Sequence, residues 1–145
     1  RKWFNLKFEV IYFYNVYGPG QIKEGDMATV VGIFEDQYKK NKPLTIVKPG
    51  TQTRRFTHID DTIRVCVEAW KRDKNAHYSI SYKKSYSINE LAKMFKTKII
   101  YLKTRIGERY ASALTKMSNN RRIINKYGKI NLKNYVTSFI KGKKL

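Results

Sequence analysis

The stretch Phe8-Glu9-Val10-Ile11-Tyr12-Phe13-Tyr14-Asn15-Val16-Tyr17-Gly18-Pro19-Gly20 decides the fold of this chain. Its first seven residues are mostly β-branched or aromatic, which favours a strand. Because these apolar residues fall on both faces, we expect a strand buried in a parallel sheet, with neighbours on both sides. Gly18-Pro19-Gly20 requires a turn. Asn15 therefore stands at the carboxyl end of the strand, where open α/β sheets bind their ligands.

Beyond this stretch, predicted strands and helices alternate along the chain, which indicates the α/β class. Extended segments are predicted at 44–47, 53–59, 77–80 and 99–102. Helices are predicted at about 28–40, from Asp60 or Asp61 to about Trp70, from the capping box at 87–90 to about Phe95, at 118–128, and after Asn131. Helical spacing predicts that Ile63, Val67 and Trp70 face the core.

The charge balance is strongly basic, with 31 Lys and Arg against 11 Asp and Glu in 145 residues, a net charge of +20. A basic nucleic-acid-binding module is therefore one alternative for this chain. The basic residues are spread along the sequence, however, and no RNP-type strand, zinc knuckle or basic zipper is present. We therefore expect a basic surface, and no nucleic acid as the primary partner.

The composition disfavours membrane-spanning, disulfide-bonded and metal-binding proteins. No apolar run approaches the roughly 20 residues that a membrane-spanning helix needs, so no membrane partner is expected. The single cysteine, Cys66, cannot form an internal disulfide and suits a reducing cytoplasm, the predicted localisation. The two histidines, His58 and His77, lie far apart, so no metal site is expected.

Two further polar segments carry groups suited to a phosphorylated ligand. The segment 50–56 is a polar turn that supplies Arg54 and Arg55, and guanidinium groups bind phosphate in a bidentate manner. Arg105 and Glu108 place one cation and one carboxylate across a glycine, a combination that could hold a diphosphate and ribose hydroxyls. Taken one at a time, each charged residue is better explained as solvated surface, and Asn15 as a turn residue.

In order and spacing, four motifs together resemble the NAD-dependent nucleotide-sugar epimerase/dehydratase family, the extended short-chain dehydrogenases, whose best-known member is UDP-glucose 4-epimerase. Residues 12–19, Y-F-Y-N-V-Y-G-P, are similar to the family pattern R-Y-F-N-V-Y-G-P. Residues 48–61 resemble G-D-G-x-Q-x-R-D-F-x-x-V-x-D, residues 105–108 resemble R-x-G-D/E, and residues 118–128 resemble the family's closing S-K-A…L-G-W helix. The resemblance covers nearly the whole chain.

The resemblance implies roles for individual residues. Asn15 matches the asparagine that contacts the nucleotide-sugar, Arg54 the arginine that holds the diphosphate, Arg105 a second phosphate-side arginine, and Glu108 the carboxylate that takes the ribose. Phe13 and Tyr14 match positions that lie against the nicotinamide of NAD, and Asp61 matches the aspartate that starts the following helix as a cap. Arg55 departs from the family, which has an acidic residue at that position.

The same resemblance implies that this chain is only part of an enzyme. The family's Gly-rich phosphate turn and its Tyr-x-x-x-Lys pair have no counterpart here, so no catalytic residue is predicted. We expect the C-terminal part of a Rossmann-like fold without its N-terminal dinucleotide-binding half. Residues 1–20 would form the last part of the Rossmann-like sheet and a substrate-site loop, and residues 21–145 a nucleotide-sugar-binding domain.

The expected function is therefore to hold the nucleotide diphosphate of a UDP-glucose 4-epimerase-like enzyme, while the missing half supplies NAD and Tyr-x-x-x-Lys. A 4,6-dehydratase or another sugar-modifying family member is the alternative. The implied partners are a nucleotide-diphosphate sugar, the N-terminal half of the same enzyme, and a second subunit in a possible homodimer. The fragment alone is expected to be inactive.

Overall fold

A computed structural model describes residues 3–104 and 123–142. The strands in these residues are β1 Val10–Phe13, β2 Val16–Tyr17, β3 Leu44–Val47, β4 Thr53–Arg55, β5 Thr57–His58, β6 His77–Ser81, β7 Ser85–Ser87, β8 Ile99–Leu102 and β9 Ile123–Tyr127. The helices are α1 Val30–Lys39, α2 Ile59–Arg72, α3 Ile88–Met94 and α4 Leu132–Ile140. The α/β class is confirmed.

The largest sheet has the strand order β1-β6-β9, and all its strands are parallel. Across it, Ile11 lies opposite Tyr78, and Tyr78 opposite Ile124. Two short parallel pairs, β2-β5 and β3-β8, and one antiparallel pair, β4-β7, complete the pairing in the described residues. Strands from both sides of the predicted domain boundary at residue 20 thus share one sheet, and the boundary itself stays a prediction.

Two hydrophobic cores hold these elements together. The smaller lies between α2 and β6 and consists of the fully buried Val65, Ala69, Tyr78 and Ile80. The larger joins α1, β3, α3 and α4, with an edge-to-face contact between the Phe34 and Phe95 rings 5.9 Å apart. The apolar face of α1 contributes the buried Val31 and Phe34 to this core, with Val30 and Tyr38 partly buried beside them. Two cores formed by helices packed on strands suit the layered architecture of α/β proteins.

Local capping signals are confirmed at two helix starts. The Ser87 hydroxyl accepts a hydrogen bond from the Glu90 N–H at 3.1 Å, and the Glu90 carboxylate accepts one from the Ser87 N–H at 2.7 Å. These bonds from Ser87 hold the pKa of Glu90 below its ordinary value. Asn131 caps α4 by accepting from the Lys133 N–H at 2.8 Å. Both caps satisfy backbone donors that a helix leaves without an internal partner.

The predicted cap of α2 is wrong. The N-cap is His58, whose Nδ1 accepts a hydrogen bond from the Asp60 N–H at 3.2 Å. Asp61 lies inside the first turn, buried, and its Oδ2 accepts from the backbone N–H groups of Lys129 and Ile130 at 2.8 and 2.9 Å. Asp61 is therefore structural, as expected, but it ties α2 to the segment before α4 and does not cap its own helix.

The predicted inward face of α2 is also wrong. Ile63, Val67 and Trp70 are 52%, 42% and 75% exposed. The face that packs against β6 instead carries Val65 and Ala69. Small residues allow the helix to approach the sheet closely, and this leaves the larger apolar side chains on another flank.

The predicted helix at 118–128 is wrong over its second part, because residues 123–127 form β9. All five residues of β9 pair with β6, and pairing with a central strand outweighs weak local helix propensity. Residues 118–122 lie outside the described residues. The first strand is shorter than the predicted 8–14, and its residues are half-buried except for the exposed Phe13, since only β6 pairs with it among the described strands.

Candidate functional site

A cavity of about 430 Å³ opens between α1, β3 and the residues that follow β1. Its lining combines a few polar side chains with a larger number of apolar ones. It is lined by Asn15, Val16, Ala28, Thr29, Val30, Val31, Ile33, Phe34, Thr45, Ile46, Val47, Gln52, Arg54, Phe56, Ile88 and Leu102. Its volume lies within the roughly 300–1,000 Å³ that is usual for small-molecule sites.

Asn15 is held at this cavity by backbone contacts. Its φ of 42° lies in the left-handed region, which asparagine tolerates better than most residues. The Asn15 side-chain amide donates to the Arg55 carbonyl at 3.0 Å, and the Asn15 carbonyl accepts from the Thr57 N–H at 3.3 Å. The turn after β1 is thereby tied to the β4–β5 segment, which carries the predicted phosphate arginine.

Arg54 also lines the cavity and is half-buried. Its guanidinium donates from Nη1 to the Thr53 carbonyl at 2.8 Å. Alternation along β4 sends the neighbouring Arg55 to the other face of the strand, and Arg55 does not line the cavity. The structure thus brings Asn15 and Arg54 together and separates Arg54 from Arg55.

The first turn of α1 forms a further part of the cavity wall that sequence reasoning missed. Thr29 caps this helix, because its hydroxyl accepts from the Gly32 N–H at 3.0 Å and donates to the Gln21 side chain at 2.8 Å. A Thr placed before an apolar helical run is a recognisable cap signal, so Thr29 could have been found. The backbone N–H groups and dipole of a helix N-terminus favour anions.

The part of the cavity lining that β3 supplies is held in place by a second contact that the sequence did not predict. The Gln37 side chain of α1 accepts from the Thr45 N–H at 3.0 Å and donates to the Thr45 hydroxyl at 2.8 Å. This double contact holds β3 against α1 on the side away from β8. Gln37 and Thr45 belong to different elements, and nothing in their local sequence indicates the pair.

The remaining predicted site residues lie elsewhere. Phe13 is 58% exposed at the end of β1, and Tyr14 is half-buried with its hydroxyl unpartnered. Neither lines the cavity, and both offer aromatic surface rather than a phosphate cradle. Arg105 and Glu108 lie outside the described residues, so their predicted roles stay predictions.

A buried polar cluster consists of His58, Tyr17, Tyr135 and Glu35. The Tyr135 hydroxyl donates to the Glu35 carboxylate at 2.7 Å, and the Tyr17 hydroxyl donates to the Ile130 carbonyl at 3.2 Å. Burial, with the Asp61 carboxylate nearby, raises the pKa of Tyr17, and burial together with Glu35 raises that of Tyr135. Burial lowers the pKa of His58, although Asp60 and Asp61 oppose the shift. The two tyrosines and His58 therefore stay neutral at pH 7 and serve the packing.

Residues 3–104 and 123–142 contain neither a candidate metal-binding cluster nor a membrane-spanning helix. No group of three or more His, Cys, Asp or Glu side chains there is placed to hold a metal ion. No helix in the same ranges is long and apolar enough to cross a membrane.

The comparison with protein families matches residues 1–81, more than half of the chain, to the NAD dependent epimerase/dehydratase family. The chain belongs to this family. UDP-glucuronic acid decarboxylase 6 of Arabidopsis thaliana is 29% identical over 91 residues, which are 63% of this chain and 26% of that protein.

Solved structures show the same fold. UDP-N-acetylglucosamine 4-epimerase from Methanobrevibacter ruminantium matches with a TM-score of 0.81 and UDP-glucose 4-epimerase from Thermotoga maritima with 0.76, each at 22% identity. Each match covers 97% of this chain and 47% of the solved chain. The fold is therefore the Rossmann-like one of the extended short-chain dehydrogenases. The chain spans about half the length of these solved relatives and matches about a quarter of the curated one.

Proposed function

We propose that this chain is the substrate-binding portion of an NAD-dependent nucleotide-sugar epimerase of the UDP-glucose 4-epimerase kind. The observation that carries the proposal is the single cavity lined by both Asn15 and Arg54. These residues are distant in the sequence, and the motif resemblance assigns both of them to the nucleotide-sugar. All three relatives named above have a UDP-linked sugar in their names or activities.

The cavity has the chemistry that a nucleotide diphosphate needs. The Arg54 guanidinium supplies a permanent cation with directed donors, and the N-terminus of α1, which also lines the cavity, favours anions. Other lining residues, among them Ile46, Phe34 and Leu102, are apolar, and such a surface suits a flat base or a sugar face. Arg105 and Glu108 are proposed to complete the clamp around the diphosphate and the ribose.

In the assembled enzyme, this portion would contribute positioning. NAD would be held mainly by the dinucleotide-binding half and would supply reversible hydride transfer with the sugar. Phe13 and Tyr14 are proposed to lie against the nicotinamide, and their aromatic side chains at the end of β1 suit that contact. No residue of this chain is proposed to transfer a proton, because the Gly-rich turn and the Tyr-x-x-x-Lys pair would come from the dinucleotide-binding half. Binding energy from the remote nucleotide would orient the reacting carbon.

The reaction type within the family is the finer part of the proposal. A 4,6-dehydratase or another sugar-modifying activity, such as that of the decarboxylase relative, would use the same diphosphate site. The proposed setting is the cytoplasm, as the single cysteine favours, with a homodimer as the proposed assembly.

The decisive experiment replaces Arg54 by Ala in the assembled enzyme and measures UDP-glucose binding by calorimetry. Loss of a charge-assisted hydrogen bond to the diphosphate should cost about 1.5–3 kcal/mol, which is about 10- to 150-fold in Kd. Arg55→Ala is the matched control, because it removes the same charge from the adjacent position that does not line the cavity. It should change affinity by less than about threefold.

Three outcomes would contradict this proposal. Equal losses in both variants would mean that only the overall positive charge matters. An unchanged affinity in Arg54→Ala with a loss in Arg55→Ala would place the wrong arginine at the diphosphate. Salt-dependent binding of DNA or RNA with no binding of UDP-glucose would favour the nucleic-acid alternative.

A further inference from the structure

A group of exposed lysines lies where the helices α1, α3 and α4 end. We call this group the lysine patch, and its members are Lys39, Lys42, Lys96, Lys98 and Lys141. All five residues are exposed. The nucleotide-sugar site uses little of the net charge of +20, so a concentration of cations away from that site needs its own explanation.

Aromatic contacts bring the three helix ends together. The Tyr38 ring of α1 lies 5.9 Å from the Phe95 ring, which follows α3, and 6.1 Å from the Phe139 ring of α4. The Phe95 and Phe139 rings lie 6.2 Å apart. Lys39 is in the last turn of α1 with its Nζ 5.2 Å from the centre of the Phe139 ring, and Lys141 caps the end of α4. The cations of α1 and α4 therefore surround one aromatic cluster.

Strand pairing adds the lysines that follow α1 and α3. The strands β3 and β8 start side by side, because Leu44 lies opposite Ile99 and the Leu44 N–H donates to the Lys98 carbonyl at 2.8 Å. The turn from α1 into β3 carries Lys42, and the turn from α3 into β8 carries Lys96 and Lys98. Paired strands lie about 4.8 Å apart, so these two turns are neighbours on the surface.

Contacts within the molecule do not neutralise the patch. Nearby Lys40 pairs with Glu24 and Asp36 at 3.3 and 2.8 Å, but in the part of the chain that the structure describes no member of the patch forms an ion pair. A helix dipole favours a cation in the last turn and acts little beyond it, which accounts for Lys39 but not for Lys42. The patch is therefore open to an external anion.

The patch is separate from the nucleotide-sugar cavity. The cavity is lined by the first half of α1, up to Phe34, and by β3 up to Val47. The patch instead begins at Lys39, the last residue of α1, and includes Lys42, which precedes β3. The two groups of residues do not overlap, so the patch is a second surface for an anion.

The composition of the patch favours a double-stranded nucleic acid among large anions. Lysine ammonium groups are compact charges that contact phosphates without reading bases. Single strands need exposed rings to stack on, whereas Tyr38, Phe95 and Phe139 are buried or half-buried. A basic patch is only one of the two signals that stable membrane anchoring takes, and a protein partner would favour an apolar centre. A duplex offers one phosphate charge per about 1.7 Å of its axis.

We propose that the lysine patch binds the phosphate backbone of double-stranded nucleic acid, without regard to sequence, as a second binding activity of this chain. The nucleotide-sugar remains the primary ligand, and neither proposal depends on the other. Five phosphate contacts predict a slope of about −4.5 for the logarithm of the binding constant against the logarithm of salt concentration. The Kd at physiological salt should lie between about 1 and 100 μM, the range of sequence-independent binding.

The test titrates the assembled enzyme into a fluorescein-labelled duplex of about 20 base pairs, which is DNA in one arm and RNA in the other, and follows the anisotropy at several salt concentrations. Binding of either duplex with the expected salt slope supports the proposal. The triple variant Lys42→Gln, Lys96→Gln, Lys141→Gln should raise the Kd at least tenfold and reduce the slope to about −2. The single variant Lys42→Gln should reduce the slope by about 1, which keeps the test valid if the triple variant does not fold.

A second triple variant controls for overall charge. Lys71→Gln, Lys74→Gln, Lys83→Gln removes the same charge from exposed lysines outside the patch and should raise the Kd less than threefold. Circular dichroism and UDP-glucose affinity should be unchanged in both triple variants, because all six residues are exposed and none lines the cavity.

Four results would overturn the proposal. The first is no binding of either duplex at about 50 mM salt. The second is equal weakening by the two triple variants, which would make the overall charge responsible. The third is binding to phosphatidylserine vesicles without binding to a duplex, which would make a membrane the partner. The fourth is displacement of the duplex by UDP-glucose, or loss of duplex binding in Arg54→Ala, which would place the duplex in the cavity. UDP-glucose affinity is measured separately, so failure of the nucleotide-sugar proposal is distinguishable from failure at the patch.

Discussion

Replacing Asp61 by Ala should destabilise the chain by about 2–4 kcal/mol. The Asp61 carboxylate is buried, and its Oδ2 accepts two backbone hydrogen bonds, from Lys129 at 2.8 Å and Ile130 at 2.9 Å. A buried donor left without an acceptor costs about 1–3 kcal/mol, and both donors are only partly buried, so the lower part of that range applies to each. The ion pair with Arg64 adds under about 1 kcal/mol because that guanidinium is considerably exposed.

Two matched variants separate these contributions. Asp61→Asn keeps one oxygen for the two N–H groups and loses mainly the ion pair, so it should cost about 1 kcal/mol. Asp60→Ala removes the neighbouring carboxylate, whose side chain is 71% exposed, and should stay within about 0.5 kcal/mol of the natural chain.

Urea unfolding gives the free energies, and hydrogen exchange gives a local readout. In Asp61→Ala, the amides of Lys129 and Ile130 should exchange at least tenfold faster, whereas those of Ser87 and Glu90 at the α3 cap should exchange as before. The reasoning is refuted if Asp61→Ala costs no more than Asp60→Ala. It is also refuted if stability falls while exchange at residues 129 and 130 is unchanged.

Three further predictions follow from charge, edges and missing motifs. Burial lowers the pKa of His58 below its ordinary 6.5, so the unfolded chain binds a proton at this histidine more readily than the folded chain does. The free energy of unfolding should therefore fall as the pH drops below about 6.5. Thermal melting should show a flatter pH dependence in His58→Asn than in His77→Gln. In the isolated chain one edge of β1 is unpaired among the described strands, and we expect the chain to associate more as salt rises. The reason is that screening limits the repulsion between chains of charge +20 to about 8 Å at physiological salt. A monomer by size-exclusion chromatography at both low and moderate salt would contradict this. The isolated chain should neither turn over UDP-glucose nor bind NAD, which calorimetry and a coupled epimerase assay can check, and turnover by the purified chain would disprove it.

Elements whose signals lie within a few residues could be predicted from the sequence. The strands Leu44–Val47 and Ile99–Leu102 have their predicted bounds, and the Ser87–Glu90 capping box starts α3 as expected. Each depends on local propensity or on hydrogen bonds between close neighbours, which the chain carries wherever it folds. The family resemblance was equally accessible, because it depends on the order and spacing of motifs.

Elements whose partners lie far along the chain could not be predicted in this way. The role of Asp61 depends on backbone donors at 129 and 130, and the strand at 123–127 depends on pairing with β6. Helical spacing correctly grouped Ile63, Val67 and Trp70 on one side of α2, but spacing cannot show whether that side faces the sheet or away from it.

The same distinction between local sequence signals and long-range contacts applies to the candidate site. The sequence by itself identified Asn15 and Arg54 as side chains suited to a nucleotide diphosphate. Only the tertiary structure decided that they line one cavity, because the Asn15 amide bonds the Arg55 carbonyl across two separate turns. It also decided that α1 and β3 supply the other walls, held together by Gln37 and Thr45. Residue type determines which chemistry is available, whereas long-range hydrogen bonds and packing determine which groups meet.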